Sequence, residues 1–163
     1  MTAIDKLKEV TAFLKSQGID DAHKESEIIV THCLGIDKAA LYRDNPVLSE
    51  KNLKDIDAVL QRRARREPLQ YIIGFVEFCG LKIKVGQGVL IPRPETELLA
   101  EEVIKAVQRS AFSVQRKSKD SELQTSNSEL RILDLCTGSG CLALAIAKHF
   151  PDAEVYGTDI SKD

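Results

Sequence analysis

The stretch Leu130-Arg131-Ile132-Leu133-Asp134-Leu135-Cys136-Thr137-Gly138-Ser139-Gly140-Cys141-Leu142-Ala143-Leu144-Ala145-Ile146-Ala147 decides the fold. Ile132, Leu133 and Leu135 make a short apolar run with strand character. Thr137 to Gly140 supplies two glycines for a tight turn, and from Cys141 the chain reads as a buried helix. Strand, glycine loop and helix in that order open an α/β unit suited to holding a cofactor. Small residues let the backbone approach a ligand, and the unbonded N–H groups and positive dipole end of the helix face it. Glu154 to Gly157 reads as a second strand. Asp159 then falls about 20 residues beyond the glycines, where a βαβ unit presents an acid to a ribose hydroxyl.

The loop admits more than one ligand. Gly138-Ser139-Gly140-Cys141-Leu142-Ala143 fits the G-x-G-x-x-A pattern of dinucleotide sites. Asp134 points the other way: a carboxylate at the end of the first strand repels a pyrophosphate, whereas the cationic amino-acid end of S-adenosylmethionine is attracted to it. S-adenosylmethionine is therefore the favoured cofactor and a nicotinamide dinucleotide the alternative. A glycine turn that merely joins strand to helix remains the bland reading, and a lone Asp after a strand is more often a helix cap or solvated turn.

At 163 residues, 43% hydrophobic and 29% charged, the chain is an ordinary globular mixture. A formal net charge of −2 gives no footprint for direct nucleic-acid binding. The amino terminus lacks the apolar core of a signal peptide, and no run is long enough to span a membrane. A cytoplasmic location is expected. The four cysteines, Cys33, Cys79, Cys136 and Cys141, form no C-x-x-C pair and have no histidine at zinc spacing, so reduced thiols and no metal site are expected.

Residues 1–74 read as a bundle of short amphipathic helices. Ile4, Leu7, Val10 and Leu14 recur at helical spacing and stop at Gly18. Asp20 or Asp21 is placed to cap a second helix that carries Ile28, Ile29 and Cys33 and ends at Gly35. A third is expected over 37–42, before Asn45-Pro46, and Ser49 caps a fourth with Leu53, Ile56, Val59 and Leu60. So small a module buries a modest core and is expected to lean on or bind something. Arg62, Arg63, Arg65 and Arg66 end the fourth helix, either as a solvated, dipole-complementing end or as a surface for an acidic or RNA-like partner. No aromatic residue interleaves with them, which weakens the second reading.

From Pro68 the grammar changes. Phe75, Phe78, Leu81, Ile83 and Val85, with Cys79-Gly80 between them, suggest a β-hairpin hinge. Val89 to Glu97 follows as an extended strap whose prolines, Pro92 and Pro94, delay any helix until about Thr96. From there Leu98, Leu99, Val103, Ile104 and Val107 form a stripe. On spacing alone, Arg93, Glu95 and Thr96 on this strap read as a structural domain junction in preference to a site. Residues 75–97 are thus hinge and strap, and 98–163 the start of a second domain, with a polar, Ser-rich stretch at about 108–129 expected to be a flexible insertion.

Three segments in this order, Glu67-Pro68-Leu69-Gln70-Tyr71-Ile72-Ile73-Gly74, Leu90-Ile91-Pro92-Arg93-Pro94-Glu95-Thr96-Glu97 and Ile132 to Gly140, resemble the protein-(glutamine-N5) methyltransferases of the HemK or PrmC type. The resemblance implies a helical substrate-recognition module at 1–74 and the start of a Rossmann-like methyltransferase domain. It further implies S-adenosylmethionine as cofactor and peptide chain release factors as substrates, methylated on the glutamine of their Gly-Gly-Gln motif. Cys136, Thr137, Gly138, Ser139 and Gly140 would line the cofactor site, with Cys136 where many relatives have glycine. Asp159 would take the ribose hydroxyls, Asp134 would lie close by, and Pro92, Arg93, Glu95 and Thr96 would flank the pocket. The family's catalytic Asn-Pro-Pro-Tyr does not occur in the sequence, so an incomplete methyltransferase domain is expected, inactive alone, whose first strand has an open edge. The alternative within the same resemblance is a non-catalytic module that binds the release factor.

Overall fold

The computed structural model describes residues 1–117 and 130–161. The chain divides into two compact units, Met1–Gly74 and Phe75–Asp163.

In the first unit, α1 (Ala3–Ser16) starts on a capping box in which Thr2 and Asp5 satisfy each other's backbone amides. It stops at Gly18, whose φ of +66° suits a residue without Cβ. α2 (Ala22–Leu34) ends at the left-handed Gly35 as expected, but its start differs. Asp21 holds the N-cap position without a side-chain bond, because its φ of −84° and ψ of 30° are not the extended geometry a cap needs. α3 (Lys38–Asp44) is capped by Asp37, and α4 (Glu50–Ala64) by a Ser49–Asn52 capping box. A fifth helix, α5 (Leu69–Ile73), was not legible: Pro68 starts it, since proline lacks only an N–H that a first turn leaves unbonded anyway. Leu7, Val10, Leu14, Ile29, Val30, Leu41, Ile56 and Leu69 form the shared core.

The arginine run is neither a bare helix end nor an open basic patch. Arg63 grips Glu25 of α2 at 2.7 Å, Arg62 grips Glu67 at 2.9 Å, and Arg66 donates to the Gln17 carbonyl at 2.7 Å. Three of the four cations thus tie the end of α4 to its own module.

The module also buries a carboxylate, Glu27, which accepts from Lys38 at 2.8 Å and from the Tyr42 hydroxyl at 2.5 Å. Burial alone would raise its pKa, yet the Lys38 and Tyr42 bonds hold the carboxyl below its usual range.

The second unit begins with a hairpin, β1 (Phe75–Phe78) antiparallel to β2 (Leu81–Lys84), that buries Phe78 and Ile83. Cys79 and Gly80 form its two-residue turn at φ of +47° and +67°, the pair of left-handed residues that matches strand twist. Helix α6 (Pro94–Lys117) departs from expectation at both ends. It starts at Pro94 rather than near Thr96, because a proline's fixed φ suits the first helical position. It also runs to Lys117, into the stretch expected to be a flexible insertion. Composition misled there: Gln, Arg, Ala and Lys are good helix formers, and serine only mildly unfavourable. Residues 118–129 of that expectation lie outside the described residues.

β3 (Arg131–Leu135), α7 (Cys141–His149) and β4 (Glu154–Thr158) complete the unit as a parallel pair with a helical crossover, Asp134 standing opposite Gly157. Leu133, Leu135 and Tyr156 are 57%, 69% and 54% exposed, so apolar strand side chains here lack the cover parallel sheets normally have.

Replacing Glu27 tests the first unit. Because its folded pKa is depressed, its contribution is present above the unfolded value, about 4.3. It is lost as pH falls through the folded one. Glu27→Gln should cost about 1 kcal/mol at neutral pH, since the charge-assisted bonds from Lys38 and the Tyr42 hydroxyl become neutral ones. In urea melts from about pH 7 to about pH 3, the variant should lose less stability on acidification than the parent. An equal acid-side loss would remove Glu27 from the account.

Candidate functional site

The site is built at the carboxyl end of β3. After Leu135 the backbone turns left-handed at Cys136, with φ of +60°, and again at Gly138 and Gly140. A side chain at Cys136 is therefore mildly strained, and glycine would sit there without penalty. Thr137 N–H donates to the Thr158 carbonyl at 2.9 Å, which carries the β3–β4 pairing one step past the strands. Gly140 N–H closes the turn on the Thr137 carbonyl at 2.8 Å, and Gly140 then serves as N-cap of α7 with no side chain to fill the amides of its first turn.

Two carboxylates hold this loop. Asp134 accepts the Thr137 hydroxyl at 2.7 Å. Asp159, just after β4, accepts Gly138 N–H on one oxygen at 2.8 Å and Ser161 N–H on the other at 2.9 Å. The Ser161 and Gly138 amides lower its pKa below the ordinary aspartate value, so it is ionised at neutral pH. Acceptor capacity remains, because an ionised carboxylate offers about four lone-pair sites.

Gly157 is the residue that sequence reasoning passed over. A Cβ built there would meet Thr137 Oγ1 at 3.0 Å and its Cβ and Cγ2 at 3.2 Å, so the strand needs glycine for space rather than for conformation. The signal was present as a glycine inside a strand pattern, which marks a close approach.

The hairpin and α6 are fastened to the same region. Cys79 N–H donates to Glu97 at 2.9 Å, and Lys148 of α7 reaches the Gly80 carbonyl at 3.1 Å. Burial, with Glu97 close by, pushes the Cys79 thiol up and keeps it protonated.

Beside the loop lies a cavity of about 500 Å³, within the range of small-molecule sites. It is lined by Asp134, Cys136, Thr137, Gly138, Ser139 and Asp159 from the loop and strand ends, and by Pro92, Arg93 and Thr96 from the strap. Two expected residues fall outside the lining: Gly140, whose Cβ position faces Leu144 behind the loop, and Glu95, exposed in the first turn of α6. The lining also includes Gly88, Val89, Leu90, Leu99, Cys141, Leu142 and Ser161, which sequence reasoning did not assign. Leu99 was recoverable: once the helix starts at Pro94, Arg93, Thr96 and Leu99 recur every third residue and share a face. Among the described residues, no group of histidine, cysteine and acidic side chains is arranged to hold a metal, and no helix is long and apolar enough to cross a membrane.

Gly157→Ala checks the loop's construction. Thr137 is pinned by Asp134 and by the Thr158 carbonyl, so the added methyl should destabilise the unit by about 1 to 3 kcal/mol. Adding Thr137→Ala, which removes two of the three clashing atoms, should recover part of the loss in thermal melts. A neutral Gly157→Ala would contradict this close packing.

Comparison with known proteins gives a consistent picture. Residues 5–74 match a family model described as the PrmC N-terminal domain. A release factor glutamine methyltransferase of Thermodesulfovibrio yellowstonii is 42% identical over 99% of this chain and 51% of its own length. Those of Geobacter sulfurreducens and Chlorobaculum tepidum are 37% and 35% identical, over 91% and 99% of this chain and 46% and 51% of their own. The chain spans about half the length of the curated relatives it matches.

Proposed function

Since the chain belongs, along the length it spans, to the PrmC type of release factor glutamine methyltransferases, we propose that its second unit binds S-adenosylmethionine. We propose further that the whole protein methylates the N5 side-chain nitrogen of the glutamine in the Gly-Gly-Gln motif of peptide chain release factors. The observation that carries the reading is a pair of carboxylates, Asp134 and Asp159, lining one cavity at the carboxyl end of a parallel strand beside a left-handed glycine loop. Two negative charges suit a cationic ligand and disfavour a pyrophosphate, which weighs against a nicotinamide dinucleotide.

The residues fit the cofactor chemically. Asp159 has lone pairs left for ribose hydroxyls, Asp134 supplies the field for the ammonium group, and Gly138 leaves open space where a side chain would intrude. Cys136, Thr137 and Ser139 wall the cavity, Gly140 shapes the turn from behind, and Pro92 and Thr96 close the strap side. When bound, S-adenosylmethionine supplies an electrophilic methyl group on a sulfonium. The chain's part is to fix that group's position and exclude water, since most of the gain in such a transfer comes from holding reacting atoms in line about 3 Å apart. Such an enzyme acts on release factors in the cytoplasm.

The helical module, residues 1–74, is read as the part that docks the release factor. A groove of about 270 Å³ between α1 and α2 is lined by Leu7, Lys8, Thr11, Ala12, Lys15 and His23, an apolar floor with a basic rim. The experiment follows methyl transfer to a purified release factor by peptide mass spectrometry, using this chain within a protein of its relatives' length. The glutamine of Gly-Gly-Gln should gain one methyl. Gly138→Val should abolish transfer and cofactor binding, and Lys8→Glu with Lys15→Glu should raise KM for the release factor by about tenfold while leaving cofactor affinity unchanged. Methylation elsewhere, or Gly138→Val with full activity, would overturn the reading.

A further inference from the structure

We propose that Arg93 receives the carboxylate of the cofactor's methionine moiety and so makes the site selective for ligands that carry it; this rests on the S-adenosylmethionine reading above. Among the described residues lining the cavity, Arg93 is the only cation, facing a lining that otherwise holds two carboxylates. S-adenosylmethionine carries two positive groups, sulfonium and ammonium, and one negative group. Two acids and one guanidinium are the complement of that set.

Arg93 is also unspent. Arg43, Arg62, Arg63 and Arg131 each pair with a carboxylate, whereas the Arg93 side chain forms neither a salt bridge nor a hydrogen bond among the described residues. Its backbone is fixed in advance. Pro94 restricts it, Pro92 fixes the residue before it, and its carbonyl accepts Thr96 N–H at 2.9 Å to start α6. The planar fork of the guanidinium offers two parallel donors that an ammonium lacks. The prolines therefore have a role beyond joining two elements: they hold one arginine at the mouth of the cavity.

The test isolates the carboxylate. S-adenosylhomocysteine and its decarboxylated form, adenosyl-3-thiopropylamine, share adenosine, thioether and ammonium and differ only in that group. Their affinities are measured by ligand-observed NMR on the 163-residue chain, a method sensitive to weak binding. The parent should prefer S-adenosylhomocysteine by about tenfold or more, the scale of a charged hydrogen-bonded pair. Arg93→Gln should bring the two affinities within about twofold by weakening the carboxylate ligand alone, and Arg93→Lys should restore part of the preference. A parent without preference, an Arg93→Gln that keeps it, or one that weakens both ligands equally would overturn the role of Arg93 and leave the cofactor reading standing. Failure of the parent to bind either ligand would overturn both.

Discussion

The bond from Gly138 N–H to the Asp159 carboxylate is the constraint on which the second unit's site depends. It joins the loop after β3 to the segment after β4, across the end of a sheet whose strands pair in parallel. A glycine loop alone is permissive and samples many shapes. Tied at Gly138 by Asp159, at Thr137 by Asp134 and Thr158, and at Gly140 by the Thr137 carbonyl, it has one shape. The same two carboxylates that set the loop set the cavity's charge, so its structure and its ligand preference share a cause.

The two units reach stability differently. The helical module is capped at α1, α3 and α4, buries a continuous aliphatic core and anchors Arg62, Arg63 and Arg66 on its own carbonyls and acids. The second unit buries a smaller apolar set, Phe78, Ile83, Ala100, Ala145 and Ile146 among it, and adds polar ties from Glu97, Lys148 and Asp159, while Leu133, Leu135 and Tyr156 stay in contact with water. The curated relatives that this chain matches are about twice its length.

What could be read in advance follows from how local each signal is. The strand, glycine loop and helix of 130–147 were legible because period and turn residues agree, and the cap at Ser49 because an acceptor precedes an apolar stripe. The left-handed Gly18 and Gly35 follow likewise. The start of α6 was missed because Pro94 serves two opposite roles: it bars a helix interior and opens a helix first turn. The extent of α6 was missed because Ser-rich composition was given more weight than residue-by-residue propensity. Within the site, Asp134, Asp159 and the loop were found from spacing. Gly157 and Leu99 were not: the glycine inside a strand pattern was passed over, and the face Leu99 shares with Arg93 emerges only once α6 starts at Pro94. The arginines of 62–66 illustrate the same limit. Sequence shows four cations, and only the fold shows that Glu25, Glu67 and the Gln17 carbonyl already hold three of them.

The central claim is that the loop after β3 and the acid after β4 together form a site for S-adenosylmethionine. Amide NMR titration tests it most directly, with S-adenosylhomocysteine added to isotopically labelled protein and NADH added in parallel. The account predicts that S-adenosylhomocysteine shifts the amides of Gly138, Ser139, Gly140 and Ser161, while those around Ile29 and Ile56 in the helical module stay in place and NADH leaves the loop unchanged. Shifts from NADH alone, or S-adenosylhomocysteine shifts confined to residues outside the loop, would contradict it.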